Sequence, residues 1–598
     1  MYIYHNRIPK LIMRNIPSII LFLYFTRVLF SCQPSKEASQ PVYQLNDTVT
    51  SFNPSLPDQP NIVWLVAEDL SAYLPSFGDS TITTPNLSRL AAQSVRYPNV
   101  FSPSGVCAPS RFALATGMYP SSLGGHNMRT QYVKAHMDSL GLKLYEVVTP
   151  PEVKMMSELM RTNGYYCTNN DKTDYQFAPV ITAWDENGNL AHWRNRPDNQ
   201  PFFSVFNLDV THESQVFHPT SVKNLRYNEN FPDSSYTYTY SDWIPDSLWT
   251  LEVPADLKVP VPPYLPNTEL VRNDIRRVYS NIKIMDRQVG LILDQLEEDG
   301  LLDNTIIVFY TDHGGPLPRQ KRLMYDSGIK VPMMICYPGQ RGAGIVDDQL
   351  ISFIDFAPTA FSMAGFDAPE YIQGQAFVGP YKADQNRKYI HAAADRLDTE
   401  IDMIRAVRDN RFKYLKNFQP DRGYYLEVTF REQMNSMQEL LRMRDEGTLN
   451  EVQMQWFRES KPEEELFDTW NDPHEINNIA NDPKYASKLS ELREECQRWM
   501  ADIHDMGKIP EKDILSSFWP DWQQPVTSAP SIEEDNNQIV VSCETEGSSI
   551  GYQWVSPEQQ PLNKWKVYTE PIPVQEDKQL IVLADRIGFI KSDTVSWH

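Results

Sequence analysis

Long apolar runs alternate along this chain with stretches whose apolar residues recur every three or four positions. The run PNIVWLVAEDL (60–70) is apolar without a break until it meets two carboxylates. Such a run predicts a strand buried on both faces, with Glu68 and Asp69 at its C-terminal tip. TPNLSRLAAQSV (84–95) follows with the spacing of an amphipathic helix. VKMMSELMRTNGYYCTNN (153–170) repeats the order, helix then strand, with Gly164 as the helix stop. PFFSVFNLDVTH (201–212) is a second buried strand ending at His212, and residues 270–314 read as a long helix, a turn and a strand ending in Asp312-His313. Strands alternating with helices predict a parallel sheet covered on both faces, which binds ligands beyond the carboxyl ends of its strands. Three tips carrying Glu68-Asp69, His212 and Asp312-His313 therefore converge.

The pattern changes after about residue 389. MIRAVRDNRFKYLKNF (403–418) alternates like a hairpin, a polar helical stretch is expected over 429–460, and QQPVTSAPS (523–531) reads as a linker. The tail is all short alternating strands, the pattern of a small β-sandwich. The expected organisation is a catalytic α/β domain over 60–385, an α+β subdomain over 386–522 and a β-sandwich module over 530–598. No internal repeat is evident.

A net charge of −23 over 598 residues argues against nucleic acid as a partner and makes local clusters of Lys and Arg stand out. The N-terminus resembles an export signal. Lys10 and Arg14 precede the run IPSIILFLYF, and VLFSC ends at Cys32. Leu-x-Ser-Cys is similar to a bacterial lipobox, which makes 1–32 a signal peptide, Cys32 a lipidation site and 33–59 a polar, Pro-rich tether. The expected location is the periplasm or the outer-membrane surface, with a lipid anchor. Six cysteines are scattered without framework spacing, and no Cys/His cluster suggests zinc.

Glu68, Asp69 and Asp312 would repel one another if buried together without compensation, so with His313 they imply a cation. Hard oxygen ligands favour Ca²⁺ or Mg²⁺. A solvated turn is the plainer reading of each pair alone; the convergence favours metal. Cys107 opens the helix-favouring stretch SRFALATG, whose N–H groups would face an anion, and Arg111 adds a bidentate cation. That combination suits transfer of a sulfuryl or phosphoryl group.

Cys-x-Pro-x-Arg (Cys107, Pro109, Arg111), followed by LATG and YP, resembles the signature of the type I sulfatases of the alkaline-phosphatase-like superfamily. The resemblance runs from Pro60 to Gly374, and ELFDTWNDPHEINNIA is similar to the family's C-terminal part. It implies a mixed sheet with helices on both faces. It also implies Ca²⁺ and conversion of Cys107 to Cα-formylglycine by a maturating enzyme that reads the unfolded chain. Glu68 and Asp69 match the family's paired aspartates, Glu68 being one methylene longer. Asp312 and His313 match the pair that completes the metal site, with Cys107 as a further ligand position. Lys321 and Lys172 match sulfate-contacting lysines, and His212 is similar to the general acid. The histidine that follows Lys172 in the family is Asp174 here, so His126 in GGHNMRT is expected to supply that imidazole.

The implied function is hydrolysis of sulfate esters, or N-sulfates, on glycans, resembling bacterial heparan N-sulfatase-like enzymes, with a sulfated oligosaccharide as substrate. The alternatives are a phosphatase or phosphodiesterase of the same superfamily, or an inactive glycan-binding lipoprotein. AHWRNRP (191–197), a basic and aromatic island, offers His192 and Arg194 as further substrate contacts; an ordinary surface loop is the plainer reading.

Overall fold

The computed structural model describes residues 48–49, 51–131, 133–219, 249–556, 562 and 564–598. The expected signal peptide, its Cys32 and most of the expected tether lie outside the described residues. Of that tether, Thr48–Val49 pairs in parallel with Val346–Asp347, and the Phe52 amide donates to Asp347. Residues 48–49 and 52–55 are therefore docked on the domain, a correction to that part of the tether reading.

The apolar runs form the strands they predict. β1 (Asn61–Ala67), β2 (Val95–Phe101), β3 (Tyr166–Asn170), β4 (Phe202–Leu208), β5 (Thr305–Thr311) and β6 (Lys330–Cys336) lie in the order β2-β6-β5-β1-β4-β3 within a ten-stranded sheet. Pairing is parallel for β5-β1-β4-β3, but β6 runs antiparallel to both β2 and β5. The sheet is mixed, and the simple alternation of strand and helix could not show the reversal. No helix separates the tip of β5 from β6 beyond one short turn, so the chain returns along its neighbour.

Alternate residues of β1 enter two separate cores. Val63 and Leu65 join α1 (Pro85–Ala92) and the long α4 (Glu269–Glu298) on one face. Ile62, Trp64 and Val66 join α3 (Met156–Thr162) and the helix Phe356–Ala364 on the other. Burial on both faces is why the run carries no polar residue between Asn61 and its tip. α2 (Cys107–Thr116) is buried along its whole length.

The hairpin Ile404–Arg408 and Phe412–Asn417 lies in a four-stranded antiparallel sheet with Ile390–Ala394 and Glu464–Asp468. The polar helix expected over 429–460 is broken into Asn435–Asp445 and Glu451–Met454 with short 3-10 turns. Gly447, at φ 68, turns the chain between them. The tail forms a three-stranded and a four-stranded antiparallel sheet sharing one apolar cluster, with Ile539 and Val541 against Leu580 and Val582. It packs on the first domain, where Asp585 accepts from the Ile181 amide at 3.0 Å and Arg161 donates to the Trp565 carbonyl at 2.6 Å.

Candidate active site

The carboxyl ends of β1, β2, β3, β4 and β5 all point to one edge of the sheet, and β6 begins there. That edge collects Glu68-Asp69 after β1, Cys107 after β2, Lys172 after β3, His212 after β4 and Asp312-His313 after β5. Lys321 sits in the segment leading into β6. Glu68, Asp69, Cys107, Arg111, Asp312, His313 and Lys321 are all at most 3% exposed, so each charge must be met by another.

Cys107 is the first residue of α2, and the preceding Val106 offers no side-chain cap, which leaves the helix N–H groups directed at this position. Its Sγ lies 3.3 Å from His313 Nε2 and 3.9 Å from Asp69 Oδ1. Burial alone would raise the thiol, but Lys172 and Lys321 bring it down to about 6. The pocket therefore favours negative charge at the atom where the family's nucleophile stands.

Asp69 is shared by several donors. Lys321 Nζ reaches its Oδ2 at 2.7 Å, the Glu213 amide donates to the same oxygen at 2.7 Å, and His313 Nε2 lies 2.9 Å from Oδ1. Its backbone, at φ 48, is left-handed, a strained state of the kind that persists where surrounding contacts over-determine it. Burial opposes ionisation of Asp69, yet Lys321, His212 and His313 hold it well below the usual carboxylate range. Glu68 is likewise lowered to about 2, burial being outweighed by Lys172, His212 and Arg111. Lys172 Nζ donates to Glu68 Oε2 at 2.8 Å. Arg111 forks between Asn207 Oδ1 (2.7 Å) and Asp312 Oδ2 (3.2 Å), with Glu68 3.5 Å from its remaining nitrogen.

Asp69, Cys107, Asp312 and His313 each turn one ligand atom into a group within 4.8 Å of one another. Two observations fit a cation there. Burial should lower the His313 pKa, but Asp312 and Asp69 raise it to about 10, a measure of how strongly this group of residues favours positive charge. The Oε1 atom of Glu68 is buried with no hydrogen-bond partner. Glu68 lies outside the four-residue group, its other oxygen held by Lys172.

His212 Nδ1 faces Ser214, whose hydroxyl is at 2.8 Å and whose amide donates at 3.3 Å. Nε2 is thereby the nitrogen turned to the site, 3.4 Å from Lys321 Nζ. Burial and Lys321 oppose its protonation; Asp69 and a hydrogen bond to Cys107 leave the pKa above its ordinary value.

His126 is buried, and its Nδ1 has no hydrogen-bond partner among the described residues. One expectation is corrected. His192 is buried against Phe206 of β4, ring centroids 5.6 Å apart, and Arg194 is turned to the C-terminal end of α4. Trp193 is fully buried and stacks on Phe202 at the start of that strand, and its indole donates to Asp299 at the end of α4. Arg194 pairs with the same Asp299 at 2.8 Å. Burial and Arg194 push His192 down to about 3. This island fastens α4 to the sheet.

Sequence reasoning missed Asn207, Glu213 and Arg322. Asn207 bridges Arg111 to Asn169, and Arg322 forms a double hydrogen bond with Glu213 at 2.6 and 2.8 Å beneath Lys321. An asparagine inside an otherwise apolar strand was the available signal for the first. The other two are distinguished only by what they meet.

A family model described as Sulfatase matches residues 60–366, and one described as N-sulphoglucosamine sulphohydrolase, C-terminal, matches 319–455. An "Ulvan-active sulfatase" of Formosa agariphila is 51% identical over 90% of this chain and 91% of its own. Human N-sulphoglucosamine sulphohydrolase is 24% identical over 74% of this chain and 90% of its own. A solved structure, of a protein in complex with its substrate D-glucosamine-2-N,6-O-disulfate, shares the fold with a TM-score of 0.51 and 17% identity, covering 76% of this chain and 100% of that one. A phosphonate monoester hydrolase from Silicibacter pomeroyi gives the same TM-score, 0.51, at 16% identity, over 75% of this chain and 96% of its own. With a site built at the strand tips around Cys-x-Pro-x-Arg, this chain belongs to the sulfatase family, enzymes that hydrolyse sulfate esters.

Proposed function

We propose that this protein removes sulfate from a sulfated saccharide, with Cys107 converted to formylglycine by a maturating enzyme and Asp69, Asp312, His313 and Glu68 holding Ca²⁺. The observation that carries the reading is the placement of Cys107 at a helix start, its Sγ 3.3 Å from His313 and 3.9 Å from Asp69, with Lys172 and Lys321 on the adjoining carboxylates, a place made for a reacting anion. The relative named for its action on ulvan makes ulvan oligosaccharides the first substrate to try. The modified residue supplies a hydrated-aldehyde nucleophile, and the metal, when bound, polarises the sulfate.

The chain's own residues do the rest. Lys172 and Lys321 bind sulfate oxygens and offset the charge that builds on them. Arg111, tied to Asn207 and Asp312, keeps the carboxylates and the first turn of α2 in register. His212 presents Nε2 to the departing oxygen and donates its proton there, Ser214 occupying Nδ1. Asp69 and the hydrogen bond to Cys107 raise its pKa, which favours the protonated form. Export and lipidation at Cys32 remain part of the proposal, to be checked by whether Cys32→Ala releases the protein from membranes.

Wild-type protein should liberate sulfate, not phosphate, from matched esters, and a hydrazide should label a peptide containing position 107. Cys107→Ala should abolish sulfate release without altering the melting temperature appreciably. Sulfate release by that variant, or phosphate release as the faster reaction, would overturn the assignment.

A further inference from the structure

The groups described so far account for the sulfate and its leaving oxygen, not for the rest of the substrate. Next to His212 stands Phe430, whose ring centroid is 6.4 Å from the imidazole. Over the Phe430 ring lies the guanidinium of Arg129, 4.9 Å from the centroid, and its Nη1 is 3.1 Å from Asp398 Oδ1. Arg129 and Asp398 both have left-handed backbones, at φ 59 and φ 53. Neither is glycine, so neighbouring contacts must hold them there. Those contacts centre on Arg396: the Met128 amide donates to its carbonyl at 3.0 Å, and its guanidinium donates to the Met128 carbonyl and to that of Asp398.

The same base supports the nucleophile. Val106 and Ala108, either side of Cys107, form one apolar cluster with Met128 and Leu397, the neighbours of Arg129 and Asp398. Arg129 is thus set rigidly relative to position 107, although its own side chain stays 20% exposed while Asp398 is buried.

From this geometry we infer that Arg129, held between Phe430 and Asp398, contacts the saccharide that carries the sulfate and so sets specificity. This rests on the proposed function, which puts the leaving oxygen at His212 and hence the sugar ring beside Phe430. Asp398 already offsets the Arg129 charge. The guanidinium N–H groups that meet no acceptor among the described residues therefore suit neutral acceptors, the hydroxyl and ring oxygens of a sugar, better than a second anion. Phe430 and Asp398 act as positioning residues, fixing the guanidinium from two sides.

The test compares wild type with Arg129→Ala, Arg129→Gln and Phe430→Leu. The substrates are ulvan oligosaccharides, a neutral sulfated methyl pyranoside, its uronate counterpart and 4-nitrophenyl sulfate, and folding is checked by thermal melting. For Arg129→Ala, the ratio of kcat/KM for oligosaccharide over aryl sulfate should fall at least about tenfold, mainly through KM. Phe430→Leu should fall in the same direction. Arg129→Gln, which keeps N–H donors without charge, should retain more activity than Arg129→Ala on the neutral pyranoside. An unchanged ratio in folded variants would overturn the inference, as would a loss confined to the uronate substrate, which would mark an anion site instead. Wild type that hydrolyses aryl sulfate but none of the saccharides would instead refute the glycan reading on which the inference stands.

Discussion

Arg111 shows how much one side chain can carry. Its guanidinium touches a strand asparagine, the metal-side Asp312 and Glu68, all buried, and a lysine there would keep the charge but lose the fork. Arg111→Lys should therefore lower kcat by about 10²–10³, the cost of removing one preorganised donor from such a site, with a smaller change in KM; steady-state kinetics checks this. Arg194 supplies the opposite case. Its charge is spent on Asp299 and Glu298 at the end of α4. Arg194→Ala should leave KM and kcat as they are and lower the melting temperature by a few degrees. A raised KM with an unchanged melt would restore the island as a substrate contact.

Among the elements, the segment that turns Lys321 and Arg322 into the site is held by the C-terminal subdomain. Arg319 and Arg322 have positive φ, at 64 and 77, so the turn is not self-sustaining. Arg319 donates to the carbonyls of His474 and Glu475 and stacks over Tyr325 at 4.0 Å. Lys413, fully buried on the hairpin, binds the Met324 carbonyl at 3.0 Å, Asp326 at 2.5 Å and Glu475 at 2.8 Å. Removing that ammonium would leave the buried Glu475 carboxylate without its cation, beside an Asp326 that keeps Arg408. Lys413→Met should cost about 3–5 kcal/mol of stability and lower kcat, because Lys321 loses its fixed position. Denaturation and kinetics on the same preparation test both, and a stable, fully active variant would show the clamp to be incidental. The motif ELFDTWNDPHEINNIA thus reaches the chemistry through the His474 and Glu475 carbonyls and the Glu475 side chain.

For the molecule as a whole, the tail module is joined to the first domain through a buried carboxylate. Burial and the nearby Glu158 raise Asp585 to about 7, even though the Ile181 amide donates to it. A carboxyl raised in the folded state holds a proton there that the unfolded chain has released. Its stabilising contribution is therefore complete below the ordinary aspartate pKa and is lost as pH rises through about 7. Asp585→Asn should flatten the melting temperature between pH 4 and 8 and gain most over wild type at the alkaline end. An unchanged pH profile would show that this group does not couple the module to folding. Metal removal acts on the same quantity from the other side. Chelation should lower both activity and melting temperature, with Ca²⁺ restoring both, since a ligand bound only to the folded state stabilises it.

Much of this was legible before any fold was drawn. Uninterrupted apolar runs ending in Glu68-Asp69 and Asp312-His313 mark buried strands because only a tip can afford such residues, and Cys-x-Pro-x-Arg is local enough to be read directly. Strand direction was not legible: the reversal of β6 depends on which neighbours it pairs with, and an apolar run looks alike in either direction. Nor was the fate of isolated polar side chains. His192 and Arg194 look available because sequence shows a residue's chemistry without its partners, and Phe206 and Asp299 lie roughly 14 and 105 positions away. Asn207, Glu213 and Arg322 were passed over for the same reason. Local patterns name the elements and their tips because each depends on neighbours in the chain; which side chains face one another depends on contacts between distant segments, and those form only when the sheet closes its cores.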